Sequence, residues 1–166
     1  MKKHILLIGL LGLTACTQSP FEFRGNNGAG AGAGSNGQNF GTGAMATPAY
    51  FNQSIGDRVL FGVDQYTLSD AAKAVLSQQA AWLQQNPNYN ITVEGHADEQ
   101  GTREYNLALG ARRAQSVQDY LVSLGIDTVR IKSLSFGKER PLEICSRESC
   151  YSKNRRAVTV LAGGVG

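Results

Sequence analysis

Val93-Glu94-Gly95-His96-Ala97-Asp98-Glu99-Gln100-Gly101-Thr102 is the stretch around which the whole chain can be organised. Its left flank, Ile91-Thr92-Val93-Glu94-Gly95, alternates apolar and polar side chains at the two-residue period of a half-buried strand. To its right a helix is predicted from about Arg103 to Leu124. Ala114, Val117, Leu121 and Leu124 recur there on one face, and Gly125 is placed to end it. Asp98 therefore follows a strand and precedes a helix across a turn at Gly101. The free backbone N–H groups of a helix start can receive an anion at such a place.

Working outward, Arg58-Val59-Leu60-Phe61-Gly62 is a short apolar run closed by glycine and reads as an earlier strand. Ser69 or Thr67 can cap a helix that begins near Asp70, and Thr67-x-x-Asp70 has the form of a capping box. Ala72, Val75, Leu76, Ala80 and Leu83 give that helix an inward stripe, and Asn86-Pro87-Asn88 stops it. Ile131 to Phe136 and Ala157 to Leu161 read as two further strands. The order strand, helix, strand, helix, strand, strand predicts an α+β fold, a two-layer sandwich with a mixed sheet and helices on one face.

The N-terminal end has a different character. Lys2-Lys3-His4 precedes the apolar run Ile5 to Leu13, which is the layout of a secretory signal peptide. A spanning helix needs about 20 apolar residues, and this run is too short for one. Leu13-Thr14-Ala15-Cys16 resembles the lipobox of bacterial lipoproteins, in which the cysteine is acylated and becomes the new N-terminus; the alternative is an ordinary signal peptide with a chance cysteine. In that class an Asp after the cysteine often marks retention at the inner membrane. Thr17 stands here instead, which implies the outer membrane. From Arg24 to Gly43 the chain is mostly Gly, Ala, Asn and Ser, too poor in apolar side chains to offset the entropy of ordering it. It reads as a tether, since the Gly-Ala alternation at 28–34 has no stacking partner for a silk-like strand. From Cys16 to about residue 55 it could reach roughly 130 Å fully extended and typically about 35 Å as a coil. The expected organisation is thus a signal peptide at 1–15, a lipidated tether at 16–54 and a folded domain at 55–163.

Of the formal charge of +3 over 166 residues, two units come from Lys2 and Lys3, so a processed chain would carry +1. Neither that balance nor the short basic run Asn154-Arg155-Arg156 supports a nucleic-acid partner.

With Tyr105-Asn106, Leu109-Gly110-x-Arg112-Arg113-Ala114 and Val117 added to the opening stretch, the sequence resembles the peptidoglycan-binding domain of OmpA-like proteins. Its closer resemblance is to the peptidoglycan-associated lipoproteins within that family. Val59 to Asp64 and Tyr151 to Val158 extend the resemblance over roughly Arg58 to Leu161. It implies a non-covalent wall binder anchored in the outer membrane and facing the periplasm, with peptidoglycan, TolB and other Tol proteins as partners, a place in envelope integrity and cell division, and no cofactor. The implied ligand is the diaminopimelate of the stem peptide. Asp98 would take its amine and Arg113 its carboxylate, while Thr102, Leu109, Asn106 and the Phe61–Asp64 loop complete the site. A planar guanidinium facing a carboxylate suits a zwitterion. The plainer reading is that Asp98 and Arg113 pair with each other, a contact worth at most about 1 kcal/mol if exposed. Arg112 points about 100° away from Arg113 on a helix and is assigned to the fold or to a partner.

Glu94, His96, Asp98 and Glu99 could also be read as metal ligands. The other histidine, His4, lies in the signal, and zinc sites usually gather three protein ligands with histidine prominent. No metal is expected, and His96 is assigned to packing behind the loop. No Ser-His-Asp set is evident either, so a wall hydrolase is the weaker alternative to a binding module. Two features depart from the family. Gln100 stands where Arg is common, which leaves room for a domain serving protein partners alone. Cys145 and Cys150 enclose a short loop where relatives generally have none. Export favours a disulfide over two free thiols there, contributing on the order of 2 kcal/mol.

Overall fold

Ordered structure begins ahead of the position indicated by the sequence. The computed structural model describes Gly43 and residues 45–163. The expected signal peptide, Cys16 and the expected tether up to residue 42 lie outside the described residues. The Thr47 hydroxyl accepts a hydrogen bond from the Tyr50 N–H and starts helix α1 (Pro48–Tyr50), with Pro48 where its missing N–H is harmless. The chain runs on through a π-helical turn, Phe51–Gly56. Phe51 is fully buried with its ring 4.9 Å from that of Trp82, and the Trp82 indole donates to the Met45 carbonyl at 2.6 Å. Residues 45–54 therefore pack with the domain, ahead of the boundary expected at residue 55. A single aromatic after a glycine-rich stretch has no periodicity to announce it.

β1 (Arg58–Leu60) follows, and then α2 (Asp70–Gln85). Of the two possible caps for α2, Ser69 is the one used, accepting from the Ala72 N–H at 3.2 Å. The Ala72, Leu76, Ala80 and Leu83 stripe is buried, and α2 stops before Asn86 as the Asn-Pro pair requires. β2 (Asn90–His96), α3 (Arg103–Ser123) and β3 (Ile131–Gly137) come next. Gly125, at φ +93°, ends α3 in the left-handed conformation that frees its last carbonyls for the Gly125 and Ile126 N–H groups. Helix α4 (Glu148–Asn154) then precedes β4 (Arg156–Ala162). The sequence reading has no helix there, because seven residues carry too little apolar pattern to betray one.

The strands lie in the order β1-β4-β2-β3. β2 and β3 are parallel, joined by the α3 crossover, and the other two pairings are antiparallel. The two-layer α+β sandwich with a mixed sheet stands. Ile91 and Val93 are buried on one face of β2, under α2 and α3, while Thr92 and Glu94 on the other face are only partly covered. Val117 and Leu121 of α3 close the core over them. Two glycines let α3 come close: Gly95 of β2 lies directly beneath Gly110. Just beyond, a bulge shifts the β2–β3 register between Gly95 and His96, so the chain leaves the sheet re-aimed at Asp98. Cys145 and Cys150 form a disulfide, Cα–Cα 5.8 Å, whose loop holds the start of α4.

Candidate functional site

A pocket of about 260 Å³ opens between the β1–α2 loop, the β2–α3 loop and the first turns of α3. Val63, Asp64, Asp98, Gln100, Gly101, Tyr105, Leu109, Arg113 and Arg155 line it. Two carboxylates and two guanidiniums thus meet in a space smaller than the roughly 300–1,000 Å³ of drug-sized sites. It suits one polar end of an amino acid. A larger groove of about 700 Å³ beside Met45, Tyr50 and Trp82 is lined by no charged side chain.

Asp98 is buried where β2 gives way to the loop. One of its oxygens accepts the Gln100 N–H at 3.2 Å, and the other accepts from Arg155 Nη1 at 3.1 Å. The plainer expectation, an Asp98–Arg113 pair, is corrected: the partner of Asp98 is Arg155. Arg113 is fully buried and spreads its guanidinium over three backbone carbonyls. Nε donates to Gln65 at 2.8 Å, Nη1 to His96 at 2.8 Å and Nη2 to Gly62 at 3.0 Å. The Phe61 ring lies 5.2 Å from its centre. Burial pulls the Arg113 pKa down to about 10, opposed chiefly by the charge of Asp98, so the group stays a cation at neutral pH. Three of its five N–H bonds are committed, and two remain.

Asp64 sits at φ +54°, a left-handed backbone uncommon for a residue with a side chain, and accepts from the Tyr105 hydroxyl at 3.2 Å. The turn from Gly62 to Gln65 that carries it is pinned by Arg113. Of the residues expected at the site, Asp64, Asp98, Leu109 and Arg113 line the pocket. The other three stand behind it. Phe61 lies against Arg113, Thr102 caps α3 by accepting the Tyr105 N–H at 3.2 Å, and buried Asn106 donates to the Gln100 carbonyl at 2.6 Å. In this structure they support the pocket without lining it: Phe61 packs on Arg113, Thr102 is committed to the first turn of α3, and Asn106 to the loop backbone.

Tyr105 and Arg155 are the lining residues that the sequence reading missed. Tyr105, Leu109 and Arg113 are spaced i, i+4, i+8 on α3, so helical spacing could have found the tyrosine. Nothing local could have found Arg155, which meets Asp98 across 57 positions. Its Nε donates to the Phe61 carbonyl, and its terminal nitrogens donate to both oxygens of Glu148. Arg112 points away, its guanidinium 5.4 Å from the Tyr66 ring.

His96 is buried behind the loop, stacked on Phe136 at 5.5 Å, and neither ring nitrogen has a hydrogen-bond partner among the described residues. Glu94 is too far for a hydrogen bond at 3.7 Å. Among the described residues no three His, Cys, Asp or Glu side chains cluster as metal ligands. Burial, with the charges of Arg156 and Arg140, holds the His96 pKa down from 6.5 to about 4. The unfolded histidine takes up its proton near pH 6.5 and the folded one only near pH 4. Between those values the unfolded state binds more protons, so stability falls as pH falls. Urea unfolding at a series of pH values is expected to show this loss in the native chain and less of it in His96→Phe. The difference should reach up to about 3 kcal/mol at the acid end. Parallel curves would mean that His96 does not titrate in this way.

Comparison with known proteins agrees with this architecture. Residues 60–155 match the OmpA family. A peptidoglycan-associated lipoprotein of Rhizobium meliloti is 47% identical over 162 residues, 96% of this chain and 86% of that protein. One from Mesorhizobium japonicum is 46% identical over 166 residues, 96% of this chain and 90% of its own length. The crystal structure of the peptidoglycan-associated lipoprotein from Burkholderia pseudomallei is 37% identical, with a TM-score of 0.64 over 67% of this chain and 96% of that one. The chain therefore belongs to the OmpA family, alongside the peptidoglycan-associated lipoproteins.

Proposed function

We propose that this protein is an outer-membrane lipoprotein that grips the cell wall non-covalently by the free end of diaminopimelate, and that it is not an enzyme. The reading rests on one observation: two carboxylates and two guanidiniums face one small pocket at the start of α3. The ligand's ammonium goes to Asp98, whose Oδ1 accepts one backbone N–H, and to Asp64 beside it. Its carboxylate takes the N–H groups that Arg113 has left over, with Arg155 adjacent. Cys16 and the tether supply the membrane end, and TolB and other Tol proteins are the proposed protein partners during cell constriction. No described helix is long and apolar enough to cross a membrane, which is compatible with anchoring by lipid.

Gln100 favours the second reading, a domain serving only protein partners, because a charge common in the family is missing. Yet it is the backbone of Gln100, through its N–H and carbonyl, that supports Asp98 and Asn106, and the substitution leaves those bonds in place.

The test is co-sedimentation with insoluble peptidoglycan, using the chain from Thr17 onward and its Asp98→Asn variant. Loss of a charge-assisted contact should weaken binding by about 10- to 100-fold. The native chain is expected in the pellet and the folded variant in solution. Equal sedimentation of both would place wall binding elsewhere, and failure of both to sediment would favour the protein-partner reading.

A further inference from the structure

The pocket's four charges balance, yet a fifth stands directly behind them. Glu148 opens α4 and holds both terminal nitrogens of Arg155 in a two-point fork, while Asp98 receives a single bond from that cation. The hydrogen bond from Arg155 to Glu148 holds the Glu148 carboxyl below its ordinary range. Glu148 does not line the pocket. Its place is fixed by a covalent ring and by hydrogen bonds at both ends of α4. It lies inside the Cys145–Cys150 ring, the Cys150 and Tyr151 N–H groups both donate to the Arg147 carbonyl at 3.0 Å, and Asn154 ties the other end of α4 to Glu99 at 2.6 Å.

We propose that Glu148 is a specificity-determining residue: by sharing Arg155 with Asp98 it leaves the pocket and its surround one negative charge in excess and so selects ligands that carry an ammonium group. This rests on the pocket being the wall-binding site. The physical reason is a competition for one cation. With Glu148 charged, Arg155 is largely neutralised by it, and Asp98 keeps its charge for the ligand. With Glu148 neutral, Asp98 becomes the main counter-charge of Arg155. The ligand's ammonium then meets a neutralised pair, while its carboxylate meets a stronger cation. Removing the charge should therefore move two ligand classes in opposite directions, which a loosened fold could not do.

The experiment uses the chain from Thr17 onward, its Glu148→Gln and Asp98→Asn variants, and two soluble peptides followed by NMR chemical-shift titration. One is the stem tripeptide ending in meso-diaminopimelate. The other carries 2-aminopimelate in its place, so the free end keeps its carboxylate and lacks the amine. The Glu148 side chain is 64% exposed, and glutamine keeps its shape, so the variant is expected to fold. The native chain should prefer the diaminopimelate peptide, and Glu148→Gln should shrink that preference about fivefold, weakening the first peptide and strengthening the second. An unchanged preference, or equal weakening of both peptides, overturns the proposal. If Asp98→Asn loses the diaminopimelate peptide while Glu148→Gln keeps the native preference, only this inference fails. If Asp98→Asn binds both peptides like the native chain, the pocket assignment fails and takes this inference with it.

Discussion

Arg113→Met is expected to lose about 3–5 kcal/mol of folding stability, because three backbone carbonyls, that of His96 buried and those of Gly62 and Gln65 partly so, lose the guanidinium together. Gly62 and Gln65 belong to the turn that carries Asp64, and His96 to the end of β2; one guanidinium joins the two walls of the pocket. Methionine fills the space over Phe61 without supplying a hydrogen; all three carbonyls lose the guanidinium, and that of Gly62 keeps only the Gln65 N–H at 3.3 Å. Relief from burying a cation offsets only part of that. Arg113→Lys should recover little, since one ammonium cannot span three acceptors that a planar fork reaches at once. Urea unfolding followed by the fluorescence of Trp82, the single tryptophan, gives the measurement. A loss under about 1 kcal/mol would show that the carbonyls find other donors. A practical consequence follows for wall-binding assays. Failure of an Arg113 variant to bind reports on the fold before it reports on the ligand, so Asp98 is the cleaner position to change.

Gly95→Ala should be nearly as damaging, at about 3 kcal/mol or somewhat more. A Cβ at residue 95 would lie 2.7 Å from the carbonyl carbon of Gly110, closer still to its oxygen, and 3.1 Å from the Ala114 backbone nitrogen. These are backbone atoms of α3 and cannot rotate aside as a side chain would. The helix must lift from the sheet, which opens the contacts that Ala114, Val117 and Leu121 make with the core. The displacement would also pull the start of α3 away from the pocket. Thermal unfolding by circular dichroism would show it as a lowered midpoint. An unchanged midpoint would mean that α3 can shift without loss of packing. Gly101 makes a useful contrast. Its added Cβ meets nothing closer than 3.8 Å, but its φ of +87° still strains any other residue.

The periodic elements were legible in the chain. The stripe of α2, the alternation of β2 and the capping signals at Ser69 and Gly125 are local features, and the structure has them within a residue or two. Aperiodic segments were not. Phe51 enters the core from a turn with no repeat around it, and α4 is too short to display one. The same division holds at the site. Asp98, Leu109 and Arg113 stand in or beside ordered motifs, and the pocket includes them. Phe61, Thr102 and Asn106 were close in sequence but have their polar atoms or rings turned to other work.

By itself the sequence determined the α+β sandwich, the strand-to-helix loop that presents Asp98, and membership of a family, since each is written in spacing along the chain. Tertiary structure alone decided which cation meets Asp98. The turn at Asp64, the loop at Asp98 and the end of α4 at Arg155 are brought together only when the sheet closes in the order β1-β4-β2-β3. Once it has closed, Arg113 is taken up by carbonyls of the backbone, and Arg155 is the guanidinium left within reach of the carboxylate. The physical reason is that a buried charge takes its partners from whatever the fold places within about 3 Å of it. Distance along the chain carries no information about that.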